Sequence, residues 1–355
     1  MKILITADTI GGVWTYAADL ANGLAAKNHQ VTLATMGRPL SSDQWQDVSG
    51  IDLFESAYKL EWMEDSADDV SAAGTWLKKI EHSLGPDLIH FNHYFHASSG
   101  WSVPVVTVCH SCVGSWWQAV KDEKVPAHLD GYSESVRSGL QCSDLVVAPT
   151  QSMLACAERL YGPFDRSMVI PNGRDLRRFA PAEKENIIFA AGRIWDEAKN
   201  LRLLAEIAPT LPWPVRLAGE GEISGANLQA LGRITADQAA REMSRASIYA
   251  LPALYEPFGL SVLEAAASGC ALVLGDIPSL RENWEGAAVF VDPHSPEDCK
   301  EALVGLIEDC KRRAELAQEA IARSMNFGIA PFVDAYERAY RELLGVHHPG
   351  KAVAL

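Results

Sequence analysis

The stretch Ile187-Ile-Phe-Ala-Ala-Gly192-Arg193-Ile-Trp-Asp-Glu-Ala-Lys199-Asn-Leu201 reads as one strand, loop and helix start in succession. Its apolar opening reads as a buried strand that ends in glycine. A polar loop carrying Arg193 and Lys199 follows, and a helical pattern begins at Leu201. A strand that feeds a helix in this way is the building unit of a parallel α/β sheet.

The same alternation extends in both directions. Upstream, Lys2 to Ala7 is a first strand, Val13 to Ala26 an amphipathic helix and Gln30 to Thr35 a second strand. Pro86 to Phe91, Val103 to Cys109 and Leu145 to Ala148 continue the sheet. Val169-Ile170 and the turn Pro171-Asn172-Gly173 close the first half, and a linker from about Arg177 to Glu185 opens the second. There the expected strands are Asn186 to Ala190, Val215 to Ala218, Ile248 to Leu251, Ala271 to Leu274 and Ala288 to Val291. Two α/β domains with Rossmann-like, doubly wound parallel sheets are therefore predicted, over residues 1–165 and 166–330. A chain of 355 residues with 48% apolar content can build two such cores. A last helix is expected from about Pro331 to Leu344, within a C-terminal segment 331–355.

Charge narrows the class of function. The formal net charge is −15, and residues 1 to 165 hold 10 Lys and Arg against 20 Asp and Glu. A nucleic-acid partner is excluded on that balance. Before Asp8 the chain starts with one basic and only a few apolar residues, too few for a secretory signal or a membrane span. Seven cysteines, an odd number scattered from Cys109 to Cys310, argue against a disulfide framework and for the cytoplasm. Cys109 and Cys112 make one C-x-x-C without a second pair at zinc-finger spacing, so they read as small packing residues.

The chemistry concentrates in two places. Arg193 and Lys199 leave the carboxyl end of a strand together, at the edge where open α/β sheets bind ligands. Further on, Glu256-Pro-Phe258-Gly259-Leu260-Ser-Val-Leu-Glu264 sets two carboxylates eight positions apart across a loop that runs into a small-residue helix. The amides of Phe258, Gly259 and Leu260 are expected to form a donor-rich helix entrance, with Glu264 one turn inside. Hydroxyls at both ends of a ligand and phosphate in the middle suit this arrangement, and a nucleotide-sugar has that shape. Taken alone, the two acids also fit an amphipathic helix with an exposed Glu at each end, and the Arg/Lys pair a solvated loop.

Together these residues resemble a known family. Gly11-Gly12, His110, Ile170-Pro-Asn172-Gly173, Gly192-Arg193 with Lys199, Gly219-Glu220-Gly221 and the Glu256 to Glu264 segment followed by Gly269 occur in the order seen in GT-B retaining glycosyltransferases of family 4. The resemblance spans nearly the whole chain. It implies two domains facing a cleft, with the final helix packing back on the first. It implies that Arg193 and Lys199 grip a diphosphate, Glu264 the ribose and Glu256 the transferred sugar, while His110 faces the reacting centre. Gly11, Gly12, Asn172, Gly192 and Glu220 would line the donor, and Arg233 and Ile234 would lie near its base.

The implied activity is retaining transfer of a hexosyl group from a nucleotide-diphosphate-sugar to a hydroxyl acceptor. No D-x-D triplet occurs, so the usual divalent-metal ligands are missing and neither metal nor cofactor is expected. Positive charge and helix-entrance amides would stabilise the leaving diphosphate instead. Relatives that glycosylate lipids dock on anionic membranes through a basic first domain, and the acidic first half here favours a soluble acceptor. A phosphorylase or sugar-nucleotide epimerase on the same scaffold, or a non-catalytic binding subunit, are the competing readings. A nicotinamide enzyme is not among them, because Gly11-Gly12 lacks the third glycine of the dinucleotide fingerprint.

Two further expectations concern the acceptor. Seven of the ten tryptophans fall between Trp14 and Trp117, and Trp14 and Trp116 are read as candidate sugar platforms. The cluster His90-Phe-Asn92-His93-Tyr-Phe-His96 is read as an acceptor-side loop. Asn200 follows Lys199 where the family frequently has Gly.

Overall fold

The computed structural model describes residues 1–345. Thirteen strands are present among them. In chain order they are β1 (Lys2–Asp8), β2 (Gln30–Met36), β3 (Asp52–Glu55), β4 (Leu88–Phe91), β5 (Val105–Val108), β6 (Leu145–Ala148), β7 (Ser167–Val169), β8 (Glu185–Ala191), β9 (Val215–Ala218), β10 (Leu228–Gly232), β11 (Ala246–Leu251), β12 (Ala271–Gly275) and β13 (Ala288–Val291). They form two sheets, ordered β3-β2-β1-β4-β5-β6-β7 and β10-β9-β8-β11-β12-β13. Every pairing is parallel. The α/β class with two parallel sheets is thus as the sequence reads.

The chain divides into two compact units. One comprises Met1–Ser115, Val125–Gly173 and, of the described residues, 329–345; the other comprises Trp116–Lys124 and Arg174–Gly328. The first unit extends to Gly173 because β7 pairs with β6 in its sheet.

In the first unit, apolar side chains fill both faces of the sheet, as parallel strands require. On one face the helix Gly12–Ala26 contributes Tyr16, Leu20 and Leu24. The helix Ile329–Leu343 packs there too, through Phe332, Val333, Tyr336 and Tyr340. Val333 reaches so close to Gly23 that a Cβ on that glycine would lie 2.3 Å from Cγ2. Residues 346–355 of the expected C-terminal segment lie outside the described residues. In the second unit one continuous core runs from Ile187 to Phe327, with Trp284 and Tyr249 among its largest members.

Two strands have no counterpart in the sequence reading, β3 and β10. Both sit at sheet edges and most of their residues are partly or fully exposed, so neither carries the apolar run that marks a buried strand.

The tryptophan and histidine expectations need correction. Trp14 is 4% exposed, belongs to the core and donates its indole N–H to Asp47 at 3.2 Å. It offers no face to a sugar. The His90–His96 segment is likewise interior rather than an open loop. His90 lies on β4 with its ring between Tyr340 Oη at 2.6 Å and Tyr16 Oη at 3.3 Å. His93 contacts Thr6 Oγ1 through Nδ1 at 3.2 Å, and His96 Nε2 meets the Val70 carbonyl at 3.0 Å. Burial pushes His90 and His93 down to about 3, so they pack as neutral rings. Cys109 and Cys112 are buried packing residues, as expected. No helix among the described residues is long and apolar enough to cross a membrane.

Candidate functional site

Sheet topology locates the site before any side chain does. In the second sheet the chain moves outward from β8 to β9 and β10, then restarts at β11 on the other side of β8. At such a switch point the loops after the two central strands part and leave a crevice at their carboxyl ends. The loop after β8 carries Gly192, Arg193 and Lys199, and the loop after β11 runs through Glu256 into the helix Leu260–Ala267.

Local chemistry shapes the first loop. Asp196 caps the short turn Glu197–Lys199, its Oδ1 accepting the Ala198 amide at 3.1 Å. Asn200 then takes a left-handed conformation, φ 53°, which Asn tolerates. It does more than a glycine could: its side-chain amide donates to the Pro252 and Pro293 carbonyls at 2.9 and 2.7 Å. The Leu254 amide donates to the Ala198 carbonyl at 2.9 Å. These bonds lay the turn on the loop after β11, which brings Lys199 to Glu256.

The result is three ion pairs. Lys199 Nζ lies 2.6 Å from Glu256 Oε2, with both side chains less than one-fifth exposed. Arg193 grips Asp196 through Nη2 at 2.6 Å and Nε at 3.2 Å, and stacks over Trp195 with 5.2 Å to the ring centroid. Glu264, one turn inside its helix, accepts from Arg174 Nε at 2.9 Å. Asp196 also takes the Trp116 indole N–H at 3.1 Å. Burial works against its charge, but the Arg193 bonds and field outweigh it and hold its carboxyl below the usual range. Trp116 is half-buried, with its indole N–H bound to the Arg193 loop.

The helix entrance differs from expectation. Gly259 is left-handed at φ 89°, and its amide donates to Glu256 Oε1 at 3.0 Å. A carboxylate at a helix N-terminus is the natural occupant of such an amide, so this donor is already engaged. The Phe258 ring is buried in the core against Phe327, while Leu260 is half-buried.

The remaining residues expected in the second half gather at the same edge. The Gly192, Ile194 and Gly219 amides donate to the Ala218, Glu220 and Gly232 carbonyls at 3.0, 3.0 and 2.9 Å, which ties the loops after β8, β9 and β10 together. A Cβ on Gly219 would lie 1.8 Å from the Gly192 carbonyl oxygen, so only glycine permits this approach. The Glu220 and Arg233 side chains are exposed there and Ile234 is half-buried.

The first unit has its own switch point, between β1 and β4. Gly11 and Gly12 are exposed at the entrance of the helix Gly12–Ala26, with Gly11 at φ 75°. His110 follows β5 and its Nε2 lies 2.7 Å from Asn92 Oδ1. The Asn92 amide nitrogen donates to the Thr6 carbonyl at 2.6 Å, which fixes its oxygen as the acceptor. His110 therefore carries its proton on Nε2 and a lone pair on Nδ1. Burial, helped by His90, pushes it down to about 3, so the ring is neutral. Asn172 is buried, and its Oδ1 has no hydrogen-bond partner among the described residues.

Three residues that the sequence reading did not single out now take part: Arg174, Asp196 and Asn92. Arg174 follows the Pro-Asn-Gly turn directly and Asp196 lies inside the quoted loop. Proximity to the motifs was the only signal for them, since each partner is chosen by the fold.

Known proteins agree with this architecture. The model of Glycosyltransferase Family 4 matches residues 10–178, and that of Glycosyl transferases group 1 matches residues 185–309. The D-inositol 3-phosphate glycosyltransferase of Xylanimonas cellulosilytica is 28% identical over 93% of this chain and 92% of the relative. That of Kineococcus radiotolerans is 26% identical over 93% and 90%. Among solved structures, sucrose-phosphate synthase from Thermosynechococcus elongatus superposes with a TM-score of 0.83 at 18% identity, covering 98% of this chain and 100% of that one. Anabaena HepE in complex with UDP-glucose superposes with a TM-score of 0.78 at 16% identity, covering 96% and 100%.

Proposed function

The chain belongs to the glycosyltransferases of family 4, with the GT-B fold, and on that premise we propose that it moves a sugar from a nucleotide-diphosphate-sugar to a hydroxyl acceptor, with retention of configuration and without a metal ion. The observation that carries the reading is the meeting of Lys199 and Glu256, at 2.6 Å, on the β8/β11 edge of the second sheet. On this reading the second domain binds the donor and the first presents the acceptor. The UDP-glucose bound in the structurally similar HepE supports a nucleotide-sugar donor, and the names of the curated relatives support a small hydroxylated acceptor.

Each residue then has a task. Arg193 and Lys199 take the diphosphate together with amides of the helix entrance, Glu264 takes the ribose and Glu256 the hydroxyls of the transferred sugar. Lys199 and Glu256 must exchange partners as the donor enters. Phosphate replaces Glu256 at the ammonium, and sugar hydroxyls replace Lys199 at the carboxylate. Arg193 likewise offers the phosphate donors that its bond to Asp196 leaves unused, since a guanidinium has five.

The acceptor oxygen bonds to the anomeric carbon on the face from which the diphosphate departs. The bond from that carbon to the phosphate oxygen breaks, its electron pair stays on the phosphate, and this oxygen accepts the acceptor's proton. Charge develops on the phosphate, where fixed cations lower the barrier; one such contact is worth about 3–4 kcal/mol. His110, with its neutral ring and its Nδ1 lone pair, keeps the catalytic role that the family resemblance implies. The seven free cysteines support a reducing cytoplasm as the place of action.

Calorimetric titration with UDP, GDP, ADP and UDP-glucose in excess EDTA tests the donor half of this reading, and the anomeric proton coupling of the product tests retention. Binding that survives EDTA, with the donor configuration kept in the product, is expected. No nucleotide binding, binding abolished by EDTA or an inverted product would each overturn it.

A further inference from the structure

Arg174 is one of the few charged side chains inside this protein, with a side-chain exposure of 6%. Its backbone is fixed. The amide donates to the Phe327 carbonyl at 3.0 Å and the residue bridges to Gly328. Its guanidinium stacks on Phe179, 5.4 Å from the ring centroid, and its Nε reaches Glu264 Oε1 at 2.9 Å. A guanidinium held on both ends by packing in this way does not swing to follow its partner. The carboxylate follows the arginine instead.

Glu264 projects from the small-residue helix Leu260–Ala267, its side chain is 16% exposed and its Oε1 meets Arg174. Charge-assisted N–H···O bonds to a planar guanidinium set direction as well as strength. A diol needs its acceptor oxygens at a fixed position, because a carboxylate free to rotate pays back in lost order much of what each hydroxyl contributes.

We propose that Arg174 is a positioning residue for the donor's ribose: it fixes the Glu264 carboxylate, and the pair rather than Glu264 alone sets the preference for a ribo- over a 2′-deoxyribonucleoside diphosphate. The inference rests on the reading that Glu264 receives the ribose. It extends that reading to a residue that does not touch the ligand, ninety positions away in sequence.

The test compares binding of UDP with 2′-deoxy-UDP, and of the GDP and ADP pairs in parallel, by the full chain and its Arg174→Gln and Glu264→Gln variants. A hydrogen bond to a charged acceptor corresponds to a roughly 10- to 100-fold preference for the ribo form in the unaltered protein. In Arg174→Gln that ratio falls to about 3-fold or less, through loss of ribo affinity with the deoxy affinity little changed. A merely structural role would weaken both nucleotides alike and leave the ratio intact, and that result overturns the proposal. If Arg174→Gln does not fold by circular dichroism, the ratio is read in Arg174→Lys, which keeps the charge but not the Nε geometry; an unchanged ratio there also overturns it. A ratio kept by the Arg174 variants but lost in Glu264→Gln sinks this inference alone. An unaltered protein with no ribo preference sinks both it and the assignment of Glu264.

Discussion

Replacing Glu61 by Gln should stabilise this protein, and increasingly so as the pH rises. Glu61 lies in the loop between β3 and the helix Ala67–Leu84 and is 8% exposed. Both its oxygens lie 3.1 Å from the Tyr94 amide, and Oε2 also accepts the Phe95 amide at 3.0 Å. Burial pushes its carboxyl up from 4.5 to about 7; the two amides oppose the rise and the nearby Asp8 adds to it. The folded protein thus binds this proton more tightly than the unfolded chain. The stabilising contribution of the protonated group is complete below 4.5, is lost between 4.5 and about 7, and leaves a constant penalty above. The gap from 4.5 to about 7, at ~1.36 kcal/mol per pH unit, is worth about 3 kcal/mol. Gln keeps the shape, accepts both amides through its carbonyl oxygen and cannot ionise. Urea unfolding of both proteins, followed by tryptophan fluorescence at pH 5, 6, 7 and 8, reads the difference directly, because all other titrations cancel. The advantage of Glu61→Gln should grow by about 2–3 kcal/mol from pH 5 to pH 8. A difference that does not change with pH, or a variant less stable at pH 8, would mean that water reaches this carboxylate and that its proton is not held by burial.

Two more outcomes are expected from the site itself. Lys199→Ala should lower donor-dependent turnover by about 10²–10³-fold, and adding Glu256→Gln should cost less than the sum of the two single effects, since the residues act as a pair; additive losses in a double-mutant cycle would contradict the coupling at 2.6 Å. Gly219→Ala forces a Cβ to within 1.8 Å of the Gly192 carbonyl oxygen, so melting should fall by the equivalent of about 1–3 kcal/mol and nucleotide affinity should drop with it as the Arg193 loop shifts; a wild-type melting curve would show that the loops are not in this close approach.

Much of the architecture is legible in the chain because buried parallel strands write themselves as apolar runs. Ile187 to Ala190 and Ala271 to Leu274 could hardly be anything else, and the loops behind them carry Lys199 and the Glu256–Glu264 segment to the carboxyl ends of the strands. The edge strands β3 and β10 escape such a reading, since a strand with one open side and few residues has no run to display. Aromatic and imidazole groups mislead for a related reason. Trp14 and the histidines of 90–96 are polar at one atom and apolar elsewhere, so sequence cannot say whether that atom faces water or, as here, Asp47, Thr6 and Tyr340.

Residue types and their order were enough to determine where the charged groups would gather: at the ends of strands, beside a helix entrance. Which charge meets which was decided by tertiary structure alone. Lys199 joins Glu256 across 57 positions and Arg174 joins Glu264 across 90, while Arg193 turns to Asp196 only three away. Coulomb attraction falls with distance in space and takes no account of distance along the chain, so those partnerships exist only once the strands have been set side by side.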